Sequence, residues 1–307
     1  MPAKELPLLA LTLGDPAGIG PEIALRAAVD PRVRAAARLV LIGPRALRVD
    51  GIEWVDSAAP ERWEMGRVQR VCGEAALAAL RIGHELAFTG RVDALVTAPV
   101  SKEALHLAGE KVEGQTELLG RWCGVTRFEM LAIAGKLRVM LLTRHMPLRR
   151  AIESITTARV LEHLRLFDES LRKLGFAAPR IALAGLNPHA GEHGVLGSED
   201  DELLAPAVAS ARAEGIDASG PHPPDTIFLA ASRGAHDGVL ALYHDQAFIP
   251  VKLLSGDHGV TVIAGLPYLR VSPVHGTAFD IAGQGKASPE NLVAALLQAA
   301  DWAQVSP

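Results

Sequence analysis

Three histidines in this chain occupy comparable places. His145, His189 and His244 each follow within a few residues of an apolar run that reads as a β-strand: Leu137–Leu142, Arg180–Leu186 and Val239–Tyr243. In open α/β sheets, function collects at the carboxyl ends of the strands. Three neutral imidazoles converging there, with one position left open, make a site for a catalytic divalent metal. Asp225 and Asp245 can add oxygen ligands or orient the rings from behind. The plainer reading is that each histidine only hydrogen-bonds within its own polar loop. The shared position of all three favours the metal. His84, His106 and His163, by contrast, fall in expected helices with no polar company.

Cations gather near the same ends. Arg144, Lys252 and Arg270 flank apolar segments, and Lys102 follows the expected strand Asp93–Thr97. A phosphate or carboxylate would need such groups, although a lone Lys or Arg is more often surface charge. Two glycine-rich stretches could serve a ligand. Gly14–Gly20 follows a strand and opens a helix at Pro21, where amides attract anions. It is neither GxGxxG nor a P-loop, and a tight turn is the preferred reading. Val274–Ala287 precedes the last helix, and its Asp280 can accept hydrogen bonds from a ribose diol while repelling a 2′-phosphate. A surface loop is the alternative there. No GxSxG elbow occurs, and neither Cys72 nor Cys123 has an evident base beside it, so covalent catalysis has no support.

The elements that must position these groups alternate between strand and helix. Strands are expected at Leu8–Leu13, Arg38–Ile42, Asp93–Thr97, Leu137–Leu142, Arg180–Leu186, Val239–Tyr243 and Val260–Ala264. Helices are expected from Pro21 to Asp30, over Gly66–Phe88, over Ser101–Ala108, and over Thr157–Leu174. Gly114–Glu117 reads as a polar loop or a helix start. Ser198 with Asp201 has capping-box spacing for a helix to Glu214, and Ser288-Pro289-Glu290 opens the last helix. The class is α/β with a mainly parallel sheet.

Bulk properties exclude several functions. The chain has 307 residues, is 49% hydrophobic and carries a net charge of −4, so neither nucleic acid nor an anionic membrane is an expected partner. No apolar stretch approaches a membrane span. Two cysteines without a CxxC suit a reducing cytoplasm, the expected location.

Five blocks then come in order: Gly14–Glu22, Thr97–Lys102, Gly185–Glu192, Tyr243–Gln246 and His275–Gly283. Together they resemble the 4-hydroxythreonine-4-phosphate dehydrogenase family of pyridoxal phosphate biosynthesis. The resemblance implies a two-domain α/β/α sandwich of the isocitrate/isopropylmalate dehydrogenase type, with a cleft between domains. It places residues 1–110 plus 262–307 in one domain and 111–261 in the other. A homodimer with its active site shared between subunits is implied. The family's metal ligands fall on His145, His189 and His244, the last expected from the partner, and would take zinc, cobalt, manganese or magnesium. Its substrate contacts fall on Thr116, Lys252 and Arg270. Its adenosine-side contacts to NAD, with NADP as the alternative, fall on His275, Gly276, Thr277 and Asp280.

Two positions depart from the family pattern. Gln115 stands where Gly-His-Thr-Glu has its histidine, and Thr261 where Gly-Val-Asn has its asparagine. Both belong to the implied substrate pocket. Gln cannot titrate near neutral pH as His can. The expected reaction is oxidation and decarboxylation of 4-phosphooxy-L-threonine, with Lys252 and Asp245 as candidates for the general base. The alternatives are a paralogue acting on threonate or erythronate 4-phosphate, a paralogue acting on an aromatic cis-dihydrodiol carboxylate, and a phosphate acyltransferase of related fold.

Overall fold

The computed structural model describes residues 5–58 and 62–305. Its strands, in chain order, are β1 (Leu8–Thr12), β2 (Arg38–Gly43), β3 (Glu53–Asp56), β4 (Ala94–Thr97), β5 (Glu129–Ala134), β6 (Leu137–Leu141), β7 (Ile181–Ala184), β8 (Ala218–His222), β9 (Gly238–Ala241), β10 (Val260–Ala264) and β11 (Leu269–Pro273). The helices are α1 (Gly20–Ala28), α2 (Pro31–Ala36), α3 (Arg70–Phe88), α4 (Lys102–Leu107), α5 (Gln115–Cys123), α6 (Leu148–Glu153), α7 (Thr157–Lys173), α8 (Ala205–Ala213), α9 (Ile227–Ser232), α10 (His244–Ser255) and α11 (Glu290–Val305).

Two compact units divide the chain. The first holds the residues up to Thr126 together with Val260–Gln304, and the second holds Arg127–Gly259. In the first, the strand order is β3-β2-β1-β4-β11-β10. All its pairs are parallel except β10 with β11. In the second, the order is β5-β6-β9-β7-β8, and only β5 with β6 is antiparallel. Strands β4, β7 and β9 are buried at every position, as parallel strands covered on both faces must be. The fold is therefore α/β with mixed sheets.

Local sequence explains most helices. Thr156 caps α7 by accepting from the Arg159 amide at 3.2 Å, and Val160, Leu164, Phe167 and Leu171 on one face are fully buried. Pro21 sits in the first turn of α1. Ser288 accepts from the Glu290 amide at 3.4 Å where α11 begins.

The structure departs from the sequence expectations in three places. The domain boundary expected after residue 110 falls after Thr126, because α5 packs with the first unit. There Gln115 Nε2 donates to the Ala98 carbonyl at 3.1 Å and Arg121 pairs with Glu110 at 3.1 Å. The capping box at Ser198 and Asp201 does not form. A π-helical turn, Asp200–Leu204, leads into α8, and the Ser198 carbonyl, not its hydroxyl, accepts from the Glu202 amide. Finally, the polar run after β9 is not a loop but the start of α10. Strands β3, β5, β8 and β11 also lie outside the expected set; β5 and β6 form a hairpin about Gly135 and Lys136.

Candidate active site

In the second unit, α10 begins where β9 ends, and this converts a sequence cluster into a helix face. His244, Phe248 and Lys252 lie four residues apart, so they stack along one side. The His244 and Phe248 rings are stacked with centroids 4.7 Å apart, and Lys252 Nζ lies 6.0 Å from the Phe248 centroid. Phe248 thus joins the site although its residue type gives no sign of it. His244 Nδ1 bonds Asp245 Oδ1 at 2.7 Å. The carboxylate accepts, so Nδ1 carries the proton and Nε2 is left as a lone-pair donor. The neighbouring Gln246 has a different task. It is buried, its Oε1 accepts from the Leu242 amide at 2.7 Å, and its Nε2 donates to the Gly185 carbonyl at 2.8 Å. Gln246 therefore ties the end of β9 to the end of β7.

His145 follows β6, and its ring centroid lies 5.2 Å from that of His244 in the same chain. Two imidazoles bound through nitrogen to one tetrahedral ion, at about 2.1 Å from it, have centroids about 5 Å apart. The pair fits two corners of such an ion. The resemblance implied that His244 meets its companions only across a dimer, whereas this chain sets it beside its own His145. His189, exposed in the turn after β7, does not complete a trio. Among the described residues of one chain, no group of three or more His, Cys, Asp or Glu is placed to hold a metal. Asp225 lies in the exposed stretch before α9 and lines a groove with Asp245, away from any such cluster.

The first unit carries a different kind of group. Arg270 on β11 is only 4% exposed. Its Nη2 donates to Thr97 Oγ1 at 2.6 Å, and its buried Nε has no partner among the described residues. Burial pushes the guanidinium down to about 10, while Tyr268 and Glu117 favour its charge. It remains a cation near neutral pH, held in a dry place with a donor to spare. At the start of α5, Thr116 is buried, and Gln115 fixes its amide on the Ala98 carbonyl, leaving a buried, unpartnered Oε1. Thr261 spends its hydroxyl on Ser272 Oγ at 2.8 Å, across the β10–β11 pair.

The loop after β11 is held by the Gly14–Gly20 turn. The Ile19 amide donates to the Thr277 carbonyl at 3.0 Å, and a Cβ on Gly18 would sit 3.0 Å from Thr277 Cβ. Gly14 has φ of +72°, and a Cβ there would come within 2.2 Å of the Pro99 carbonyl oxygen. Asp15 is fully buried in this turn. One of its oxygens accepts from the Ala17 amide at 2.9 Å, the other has no partner among the described residues, and burial pushes its carboxyl up to about 6. A buried acid makes the turn a poor phosphate cradle, so it serves as a bracket for the 275–283 loop. In that loop His275 Nδ1 lies 3.1 Å from the Gly276 carbonyl, Gly276 is exposed with open space around it, and the exposed Asp280 has no side-chain hydrogen bond among the described residues. Burial pushes both thiols up, Cys72 to about 12, so neither is a nucleophile near neutral pH.

The chain matches the family model of the pyridoxal phosphate biosynthetic protein PdxA over residues 22–299. It belongs to the PdxA family. It is 42% identical to the D-threonate 4-phosphate dehydrogenase of Salmonella typhimurium, over 95% of this chain and 98% of that one. The crystal structure of 4-hydroxythreonine-4-phosphate dehydrogenase from Klebsiella pneumoniae superposes with a TM-score of 0.88 at 39% identity, covering 97% of this chain and 100% of that one. The fold alone is shared with a beta-decarboxylating dehydrogenase from Thermococcus kodakarensis, at a TM-score of 0.52 and 18% identity, covering 95% and 82%. This PdxA-family chain is accordingly of a dehydrogenase family and of the decarboxylating-dehydrogenase fold. No helix among its described residues is long and apolar enough to cross a membrane.

Proposed function

We propose that this PdxA-family chain oxidises and decarboxylates 4-phosphooxy-L-threonine to 3-amino-2-oxopropyl phosphate, with NAD and a divalent metal, as a cytoplasmic homodimer. Arg270 carries the reading: a buried cation with an unpartnered donor is costly to a fold unless an anion completes it. Arg270 holds an anionic group of the substrate, and Thr116 and Gln115 orient its polar groups. Asp280 takes the ribose of NAD, which supplies the hydride acceptor, while His275, Gly276 and Thr277 shape the loop around it. His145, His189 and His244 would hold a divalent metal, which would supply a Lewis acid easing loss of the hydroxyl proton. Asp245 is occupied in orienting His244, so Lys252 is the group that moves the proton. With NAD bound, oxidation of the hydroxyl carbon would give a β-keto acid that loses carbon dioxide, and Lys252 would return its proton to the enolate carbon left behind.

Support for the dimer comes from the surface. Ile249 and Leu253 of α10 are 60% and 80% exposed, beside a groove of about 500 Å³ that Phe228 and Leu229 also line. Apolar patches of this kind mark interfaces. A second copy would also complete the histidine trio that one chain lacks.

The second reading is oxidation of D-threonate 4-phosphate. The name of the Salmonella relative favours it. Initial rates of NADH formation from the two phosphates, under identical conditions, separate the readings through kcat/KM. Repeating both after exhaustive chelation tests the metal, and a rate that chelation leaves intact removes the metal from the mechanism.

A further inference from the structure

The geometry points to Asp200 as the positioning residue that presets the backbone at His189. This rests on the reading of His189 as a metal ligand. Asp200 is 0% exposed and so cannot touch a substrate. Its carboxyl group spends its hydrogen bonds on one short segment. Oδ1 accepts from the Leu186 amide at 2.9 Å, and Oδ2 accepts from the Asn187 amide at 3.1 Å and from Asn187 Nδ2 at 2.9 Å. Asn187 Nδ2 also donates to Glu199 Oε2 at 2.8 Å, so the residue before the turn is clamped twice.

Immediately after that clamp the backbone is unusual. His189, Ala190, Gly191, Glu192 and His193 all have positive φ, at 53°, 55°, 76°, 46° and 55°. Only Gly191 adopts that region freely; for other L-residues it costs about 1–2 kcal/mol each. Such a run persists where its surroundings over-determine it. Asp200 clamps the residues before the run and packs beneath its middle, since a Cβ on Gly191 would lie 3.4 Å from Asp200 Cβ and 2.8 Å from the Gly197 carbonyl oxygen. The π-helical turn that begins at Asp200 aims its side chain under the loop instead of along the helix. A buried acid that serves only the residues flanking His189 holds the backbone there before any ion arrives, which removes an ordering cost from binding.

The test uses full-length metal-free protein and cobalt(II) as the probe. Calorimetry gives affinity, the visible absorption of the bound cobalt reports ligand geometry, and circular dichroism confirms folding. Asp200→Asn turns one acceptor into a donor facing the Asn187 groups. It should weaken cobalt binding about tenfold or more and alter the cobalt band, with activity returning at saturating metal. Asn187→Ala keeps both backbone bonds of Asp200 and should weaken binding several-fold; it decides the question if Asp200→Asn does not fold. Wild-type affinity and band in the folded variants would overturn the inference while leaving His189 as a ligand. Failure of the wild-type protein to bind cobalt would instead remove the ligand reading, and this inference with it.

Discussion

Two groups of side chains carry the proposed chemistry, and they are stabilised in opposite ways. In the first unit, Arg270 is 4% exposed and already desolvated, with Thr97 as its one side-chain hydrogen-bond partner among the described residues. In the second, Lys252 is exposed and the His244 side chain keeps 34% of its surface. Folding alone builds the first group, and the low dielectric around Arg270 strengthens any anion it meets. A helix face presents the second, through stacking on Phe248 and a hydrogen bond to Asp245, and its exposed surroundings suit a partner that covers them. A buried group gains strength at the expense of the apo fold; an exposed one needs an outside surface to gain it.

The largest effect that would sharpen this contrast is expected at Arg270. Arg270→Met should lower kcat/KM by about 10²–10³-fold, the loss expected for one partner of a buried charged pair. The same variant should raise apo stability by about 1–3 kcal/mol, because an apolar side chain replaces a buried charge. Denaturant melts and initial rates measure the two, and a fall in both would break the comparison.

Asp15 gives the next effect. Its folded value, about 6, lies above its unfolded value of 3.8, so the native state binds the proton more tightly. The stability it contributes is full below pH 3.8 and is lost as pH rises through about 6, a change of about 3 kcal/mol. Asp15→Asn should remove that component, making the variant relatively more stable than wild type at about pH 8 than at about pH 4. Parallel pH–stability curves for the two proteins would show that Asp15 is not desolvated as described. For Lys252→Met, kcat should drop about 100-fold if Lys252 moves the proton, with stability within about 0.5 kcal/mol, as for other exposed positions. Unchanged kcat would return Lys252 to ordinary surface charge. The smallest effect is expected from Phe248→Leu, which removes the ring between His244 and Lys252. It should cost about 1 kcal/mol of stability, read by denaturant melts.

Much of the scaffold is legible in the sequence because its signals are local. Strands β1, β2, β4, β6, β7, β9 and β10 are mostly apolar runs, and α7 shows its helical stripe together with its cap. Strands β8 and β11 escape such reading because short segments mixing polar and apolar residues gain strand structure from their partners, while β5, apolar after Glu129, becomes a strand by pairing with β6. β11, for instance, is fixed by pairing with both β4 and β10. Helix α10 escapes it because it contains Pro250 and opens without a side-chain cap. The histidines and Arg270 stand out by position at strand ends. Phe248 and Asp200 do not, since an aromatic residue in an apolar run and an acid near a helix start are ordinary features of a sequence.

Adjacent residues mark the division between sequence and tertiary structure. Sequence alone determined the alternating α/β plan and the chemical types at the strand ends, because these derive from side-chain period and functional groups. Only the tertiary structure decided that Gln246 is a buried tie between β9 and β7 while Asp245 beside it orients His244. Likewise it set Asp200, and not Asp201, beneath the Leu186–Gly191 turn. Those assignments depend on which distant backbone amides and carbonyls arrive at a given point. Spacing along the chain does not encode that, and the packing of strands and helices does.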